Sequence, residues 1–158
     1  MKRAIIIFMA LLLLLLCACG KDQSTVIEAE QGEGDLNEAV YYHGDENAEF
    51  LVEEKATLPE NYGPQDIMNL LYENKVLEKA VGVNKWSIKD ELLEIDFTEE
   101  FSEEIMGMGT AGEYIKMGST VNSLIKNFDV SAVYITVEGN TLESGHDIYD
   151  YPLSFYEN

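Results

Sequence analysis

Basic side chains are scarce in this chain: 10 Lys and Arg stand against 30 Asp and Glu in 158 residues, a formal charge of −20. Nucleic-acid binding needs Lys and Arg to displace the counterions of phosphates, and no basic stripe is available for it. A polybasic attachment to anionic lipid is excluded on the same ground. Two cysteines cannot build a multi-bridge scaffold or a four-thiolate zinc site. The two histidines, His43 and His146, lie about a hundred residues apart and lack the His-x-x-x-His spacing of a zinc helix. What is present is apolar: 46% hydrophobic residues, enough for a core, in a length that suits one domain.

The apolar content is uneven. Lys2 and Arg3 precede an unbroken apolar run, Ala4 to Leu16, of 13 residues. As a helix this run would span roughly 20 Å, short of the roughly 30 Å hydrocarbon core of a bilayer. A short apolar run behind a charged start is the pattern of an export signal. Its end, Leu16-Cys17-Ala18-Cys19-Gly20, resembles the bacterial lipobox. That resemblance makes Leu16 and Ala18 the residues recognised by the lipoprotein signal peptidase, and Cys19 the lipidated one. Residues 1–18 are then the signal peptide. Two acyl chains on Cys19, at about 0.8 kcal/mol per buried CH₂, would give stable anchoring to the extracytoplasmic face of the cell membrane. Cleavage removes Lys2 and Arg3 and leaves 8 basic side chains against 30 acidic, a formal −22. Residues 19–36, with Asp22, Glu28, Glu30, Glu33 and Asp35 against a single Lys21, have no sustained period and are expected to be an acidic tether.

Residues 37–158 are expected to form a single domain. Glu38 to His43 and Glu49 to Thr57 are predicted strands across a polar turn. Pro64 suits a helix first turn, and Ile67, Leu70 and Leu71 continue at helical spacing to about Asn74. Leu93, Ile95 and Phe97 alternate with Glu94, Asp96 and Thr98, the clearest strand pattern in the chain. It pairs as a hairpin with the segment Val81 to Ile88. Thr98-Glu99-Glu100-Phe101 opens a short helix that Gly107 and Gly109 break. Tyr114, Met117, Val121, Leu124, Ile125 and Phe128 make one helical stripe. Val133, Ile135 and Val137 line one face of a strand, Gly139-Asn140 marks a tight turn, and the aromatic tail Gly145 to Asn158 is expected to pack on the domain. The order gives an α+β fold, a mixed or antiparallel sheet with two main helices packed on one face.

These pieces together resemble a family. Val40-Tyr41-Tyr42 with Phe50-Leu51-Val52, the helix around Ile67-Met68-Asn69-Leu70-Leu71, the stretch Leu93-Glu94-Ile95-Asp96-Phe97-Thr98-Glu99-Glu100-Phe101, and the strand Val133 to Gly139 with the closing His146, Asp147 and Pro152-Leu153 are similar in order and spacing to the GerM-type (GerMN) domain of sporulation and spore-germination proteins. The resemblance covers about residues 39–155. Glu73-Asn74-Lys75 stands where that family often has Gly-Pro. The resemblance implies a ring-building-motif-like fold, a non-enzymatic interaction or scaffold role in the cell envelope, and envelope or sporulation proteins as partners.

Residues with possible chemistry each have a plainer reading. Glu99, Glu100, Glu103 and Glu104 could make a glycosidase pair or a hydrated Ca²⁺ site, or a solvated acidic helix face. His43 and His146 are expected as a turn residue and a tail hydrogen-bonder. Ser119 and Ser123 lack a nucleophile-elbow context, and Gly107-Met108-Gly109 lacks the third glycine of a phosphate loop. Asp96 is expected to cap the turn after its strand. Trp86 and the tail tyrosines could bind a sugar or a partner, or cover the sheet. The expectation is therefore no catalytic residue, no cofactor, no metal, and a bare domain that stays monomeric. A small-ligand or envelope-glycan binding lipoprotein is the alternative; a concave pocket at Trp86 or Tyr149 would favour it.

Overall fold

The computed structural model describes residues 36–158. The expected signal peptide with Leu16 and Ala18, the tether up to residue 35 and Cys19 lie outside the described residues. Strands β1 (Leu36–Gly44) and β2 (Leu51–Pro59) form an antiparallel hairpin that is a sheet by itself. Helix α1 (Pro64–Glu73) follows, with Pro64 in its first turn and the Gly63 N–H donating to Asp66 Oδ2 at 2.8 Å. Next come β3 (Val83–Lys89), β4 (Leu92–Phe97), α2 (Glu99–Ile105), α3 (Thr110–Phe128), β5 (Ala132–Val137), β6 (Asn140–Glu143) and β7 (Ile148–Tyr149). These five strands make one sheet in the order β3-β4-β5-β6-β7.

Local backbone geometry explains the hairpins. Asp90 and Glu91, between β3 and β4, both take positive φ (50° and 61°), and so do Glu138 and Gly139 between β5 and β6 (50° and 76°). Turns of that hand match the right-handed twist of the strands they join. β4 and β5 are parallel, with α2 and α3 as the crossover that parallel neighbours require. β6 reaches only the end of β5, at Thr136 and Val137, and pairs with β7 on its other side, while Leu153 of the tail extends the pairing of β5 by bridging to Val133.

The α+β class and the mixed sheet are as expected from the sequence. The strands, however, divide into two sheets. The inner face of the five-stranded sheet carries Leu93, Ile95, Phe97, Val133, Ile135 and Val137, and packs with Ile67, Met68 and Leu71 of α1, Phe101 and Ile105 of α2, and Met117, Val121 and Leu124 of α3. Helix α3 is covered on its other side too, where Ile115 packs with Tyr42 and Leu51 of the hairpin and with Phe155 and Tyr156 of the tail. α3 is thus a central helix between sheet and hairpin, which is why it buries Ser119, Thr120, Asn122 and Ser123 as well as its apolar stripe. The free edge of β1 meets α3 instead of another strand: Ser123 Oγ accepts the Tyr42 N–H at 2.9 Å. Among the described residues no helix is long and apolar enough to cross a membrane.

Candidate binding clefts

Two of the surface clefts contain the residues that the sequence singled out. The first is a groove of about 340 Å³ across β3, β4 and β5, lined by Lys85, Trp86, Glu94, Asp96, Tyr134 and Thr136. β3 is an edge strand, and its Trp86 and Ile88 are 50% and 43% exposed. The Trp86 ring leans on Phe128 at 6.2 Å between centroids, so the indole covers the end of α3 while one side remains open.

Asp96, at the end of this groove, is buried and fully engaged. Its Oδ1 accepts from Thr136 Oγ1 at 2.5 Å and from the Gly139 N–H at 2.7 Å, and its Oδ2 accepts from Asn84 at 3.2 Å. It caps the β5–β6 turn, not the turn after its own strand as the sequence suggested. The long-range strand pairing brings Gly139 to it, and local sequence contains no sign of that. Burial by itself would raise the Asp96 carboxyl; the hydrogen bonds from Thr136, Gly139 and Asn84 outweigh burial and hold it below the usual carboxylate range.

The second cleft, also about 340 Å³, lies between the start of α3 and the C-terminal segment. Tyr114, Tyr149, Tyr151 and Tyr156 wall it, and Glu113 and His146 line it. Glu113 is 4% exposed. Its Oε1 accepts from Tyr149 Oη and Ser144 Oγ, each at 2.5 Å, and its Oε2 is buried with no hydrogen-bond partner among the described residues. Tyr151 donates to Asp147 Oδ2 at 2.5 Å, and Tyr114 donates to the Glu157 carbonyl. The Tyr114 and Tyr156 rings meet edge to face at 5.2 Å. Burial, then the hydrogen bond to Glu113, pushes the Tyr149 phenol far above its ordinary value. Burial, with the oxygens of Tyr151 and Asp147 nearby, does the same to Tyr156. These phenols are donors at any physiological pH.

The sequence marked Tyr149 and Tyr151 but not Glu113. A glutamate in a helix first turn is an ordinary dipole-favoured surface residue. The available signal was its place at 4, 3 and 4 spacing with Met117, Thr120 and Leu124, a stripe that is buried throughout. The acidic run on α2 also differs from its plain reading. Glu99, Glu100 and Glu103 face solvent or its margin, but Glu104 is buried and ion-paired with Lys116 and accepts the Lys79 N–H. His146 hydrogen-bonds the Met108 carbonyl at 3.1 Å, as a tail residue would, while His43 contacts the Gly44 carbonyl through Nδ1 at 2.7 Å at the end of β1. Ser119 and Ser123 are buried along α3, and Ser123 Oγ donates back to the Ser119 carbonyl. Among the described residues no group of three or more His, Cys, Asp or Glu side chains is placed to hold a metal ion.

Comparison with known proteins places this geometry. The family model Germane, described as sporulation and spore germination, matches residues 39–143. The tandem GerMN domains of the sporulation protein GerM from Bacillus subtilis share the fold at TM-score 0.59 and 20% identity, over 77% of this chain and 45% of that one. The chain therefore spans less than half of that structure's length. A candidate lipoprotein from Clostridium perfringens aligns at TM-score 0.45 and 14% identity, over 77% of this chain and 88% of that one. No curated protein matches the sequence.

Proposed function

Because the chain belongs to the Germane family of sporulation and spore germination, we propose that it is a non-enzymatic interaction module of the cell envelope that acts in one of those processes. The observation that carries this reading is the open edge of the five-stranded sheet. β3 is paired on one side only and holds Trp86 and Ile88 half exposed. An unpaired strand edge with apolar side chains is a template for a partner's strand, and Lys85 and Lys89 on it discourage indiscriminate pairing. The partners are envelope or sporulation proteins.

A lipid on Cys19 belongs to the same proposal. It is supported by Leu16 and Ala18 before Cys19 and by the 13-residue apolar run behind Lys2 and Arg3. The anchor would hold the domain on the extracytoplasmic face of the membrane, where the acidic residues 19–36 keep it off an anionic surface. Replacing Cys19 by Ala and fractionating cells tests the anchor: wild-type membrane retention with no loss of lipid labelling would sink it. A photo-crosslinking residue at position 86, in a spore-forming host, tests the edge. Partners captured there and lost in the Ile88→Lys variant are expected. An equal yield from a crosslinker on the buried side of the domain would defeat the reading.

The second reading, a small-ligand or envelope-glycan binding lipoprotein, is favoured by the cleft at Tyr149, where polar groups converge on Glu113 between aromatic walls.

A further inference from the structure

We propose that the cleft between the start of α3 and the C-terminal segment binds a primary ammonium group carried on an alkyl arm. The inference deepens the small-ligand reading and is independent of the scaffold reading.

Glu113 Oε2 is buried and receives no hydrogen bond from any described residue, while Oε1 on the same carboxylate receives two. A buried carboxylate oxygen left unpaired is costly, and the missing group is a donor. The surroundings restrict which donor. No Lys or Arg lines the cleft, and a second carboxylate, Asp147, stands in its wall. An anion would be repelled at both.

The tyrosines select further. Tyr149 spends its hydroxyl on Glu113, Tyr151 on Asp147 and Tyr114 on the Glu157 carbonyl. With those hydroxyls engaged, what the walls offer a ligand is mainly ring surface, and the faces of aromatic rings attract cations. A neutral hydroxyl would gain the hydrogen bond to Oε2 and nothing from the rings. A guanidinium prefers a carboxylate with both oxygens free for its fork, and here only one is. A quaternary ammonium has no N–H for Oε2. A divalent cation such as Ca²⁺ needs six to eight oxygens, and among the described residues no group of three or more His, Cys, Asp or Glu side chains is placed to hold one. A primary ammonium combines a full charge, compact size and N–H donors. The space of about 340 Å³ leaves room for the alkyl arm.

The test is calorimetric titration of the full chain in detergent micelles with butylammonium, with tyrosine ring resonances followed in parallel. Saturable binding at about millimolar Kd is expected, with 1-butanol giving none and tetramethylammonium about tenfold weaker. Glu113→Gln should weaken binding about tenfold or more. Because that change removes a buried charge and could unfold the domain, Tyr151→Leu, at a ring 43% exposed, is the second variant. It should weaken binding about threefold with the circular dichroism unchanged. Nα-acetyl-lysine amide distinguishes the source: tighter binding than butylammonium identifies a lysine side chain, equal or weaker binding a free amine, and both support the inference. Absence of saturable butylammonium binding, equal binding of 1-butanol, or unchanged binding in both variants would overturn it. Binding of N-acetylglucosamine oligomers without ammonium binding would overturn it too, while the small-ligand reading would stand.

Discussion

The side-chain amide of Asn127 pairs with both backbone polar groups of Val40: Oδ1 accepts the Val40 N–H at 3.0 Å and Nδ2 donates to the Val40 carbonyl at 2.5 Å. An amide on the central helix thus does for β1 what a neighbouring strand would do. The device recurs. Asn122 holds the N–H and carbonyl of Tyr156, and Asn158 holds those of Leu51. Three asparagines fasten the hairpin and the tail around α3. Asn127→Ala would leave Val40 unpaired on its outer edge and should cost about 2 kcal/mol. Urea unfolding measures the loss, and faster amide exchange at Val40 would locate it at the hairpin.

Glu104 and Lys116 form a buried ion pair between α2 and α3. Glu104→Ala removes the acceptor of both Lys116 and the Lys79 N–H, and should destabilise the domain by about 3 kcal/mol. The double variant Glu104→Leu, Lys116→Met should recover most of it, because the cost comes from the stranded charge. If the double variant is no better than the single one in thermal unfolding, the pair is more than a matched burial.

Asp96 predicts an acid-side dependence. Its carboxyl is held low in the folded state, against about 3.9 when unfolded. The stability it contributes is therefore present above about pH 4 and lost as pH falls through the lower folded value. Asp96→Asn should be less stable at pH 7 by about 2 kcal/mol, and the gap should narrow in unfolding curves taken below pH 4.

Two glycines of α3 should respond oppositely to alanine. A Cβ at Gly118 would stand 2.6 Å from Leu51 Cδ1 and 3.2 Å from Tyr156 Cβ. Overpacking there should outweigh the gain in helix propensity and destabilise by about 1 kcal/mol. At Gly112 the nearest atom is the flexible end of Met108, at 3.2 Å, so Gly112→Ala should stabilise by up to about 1 kcal/mol. Melting temperatures of the two variants on either side of wild type would confirm the contrast.

Charge opposes self-assembly. With 25 acidic against 7 basic side chains in residues 37–158, copies set side by side repel within a Debye length of about 8–10 Å. Residues 37–158 should be monomeric by light scattering at low salt and micromolar concentration. A stable ring under those conditions would mean that apolar burial at the sheet edge outweighs the repulsion.

The sequence by itself determined the elements whose signal is local. Leu93, Ile95 and Phe97, like Val133, Ile135 and Val137, alternate because a strand turns its side chains every second residue, and all six are buried as that pattern required. Pro64 fixed the start of α1, and the stripe from Met117 to Leu124 fixed the buried face of α3. Only the tertiary structure decided what depends on distant partners. That β4 and β5 lie parallel, and that β1 and β2 leave the main sheet, follows from where α3 runs, since Asn127 takes the edge of β1 from 87 residues away. Glu113, near a helix start, and Glu104, in an acidic helical run, read as surface carboxylates because charges in such places are ordinarily solvated. Each is buried because a donor arrives from elsewhere in the fold: Tyr149 from 36 residues on, and Lys116 from the next helix. A buried charge is set by its partner's position, and one-dimensional periodicity does not contain that.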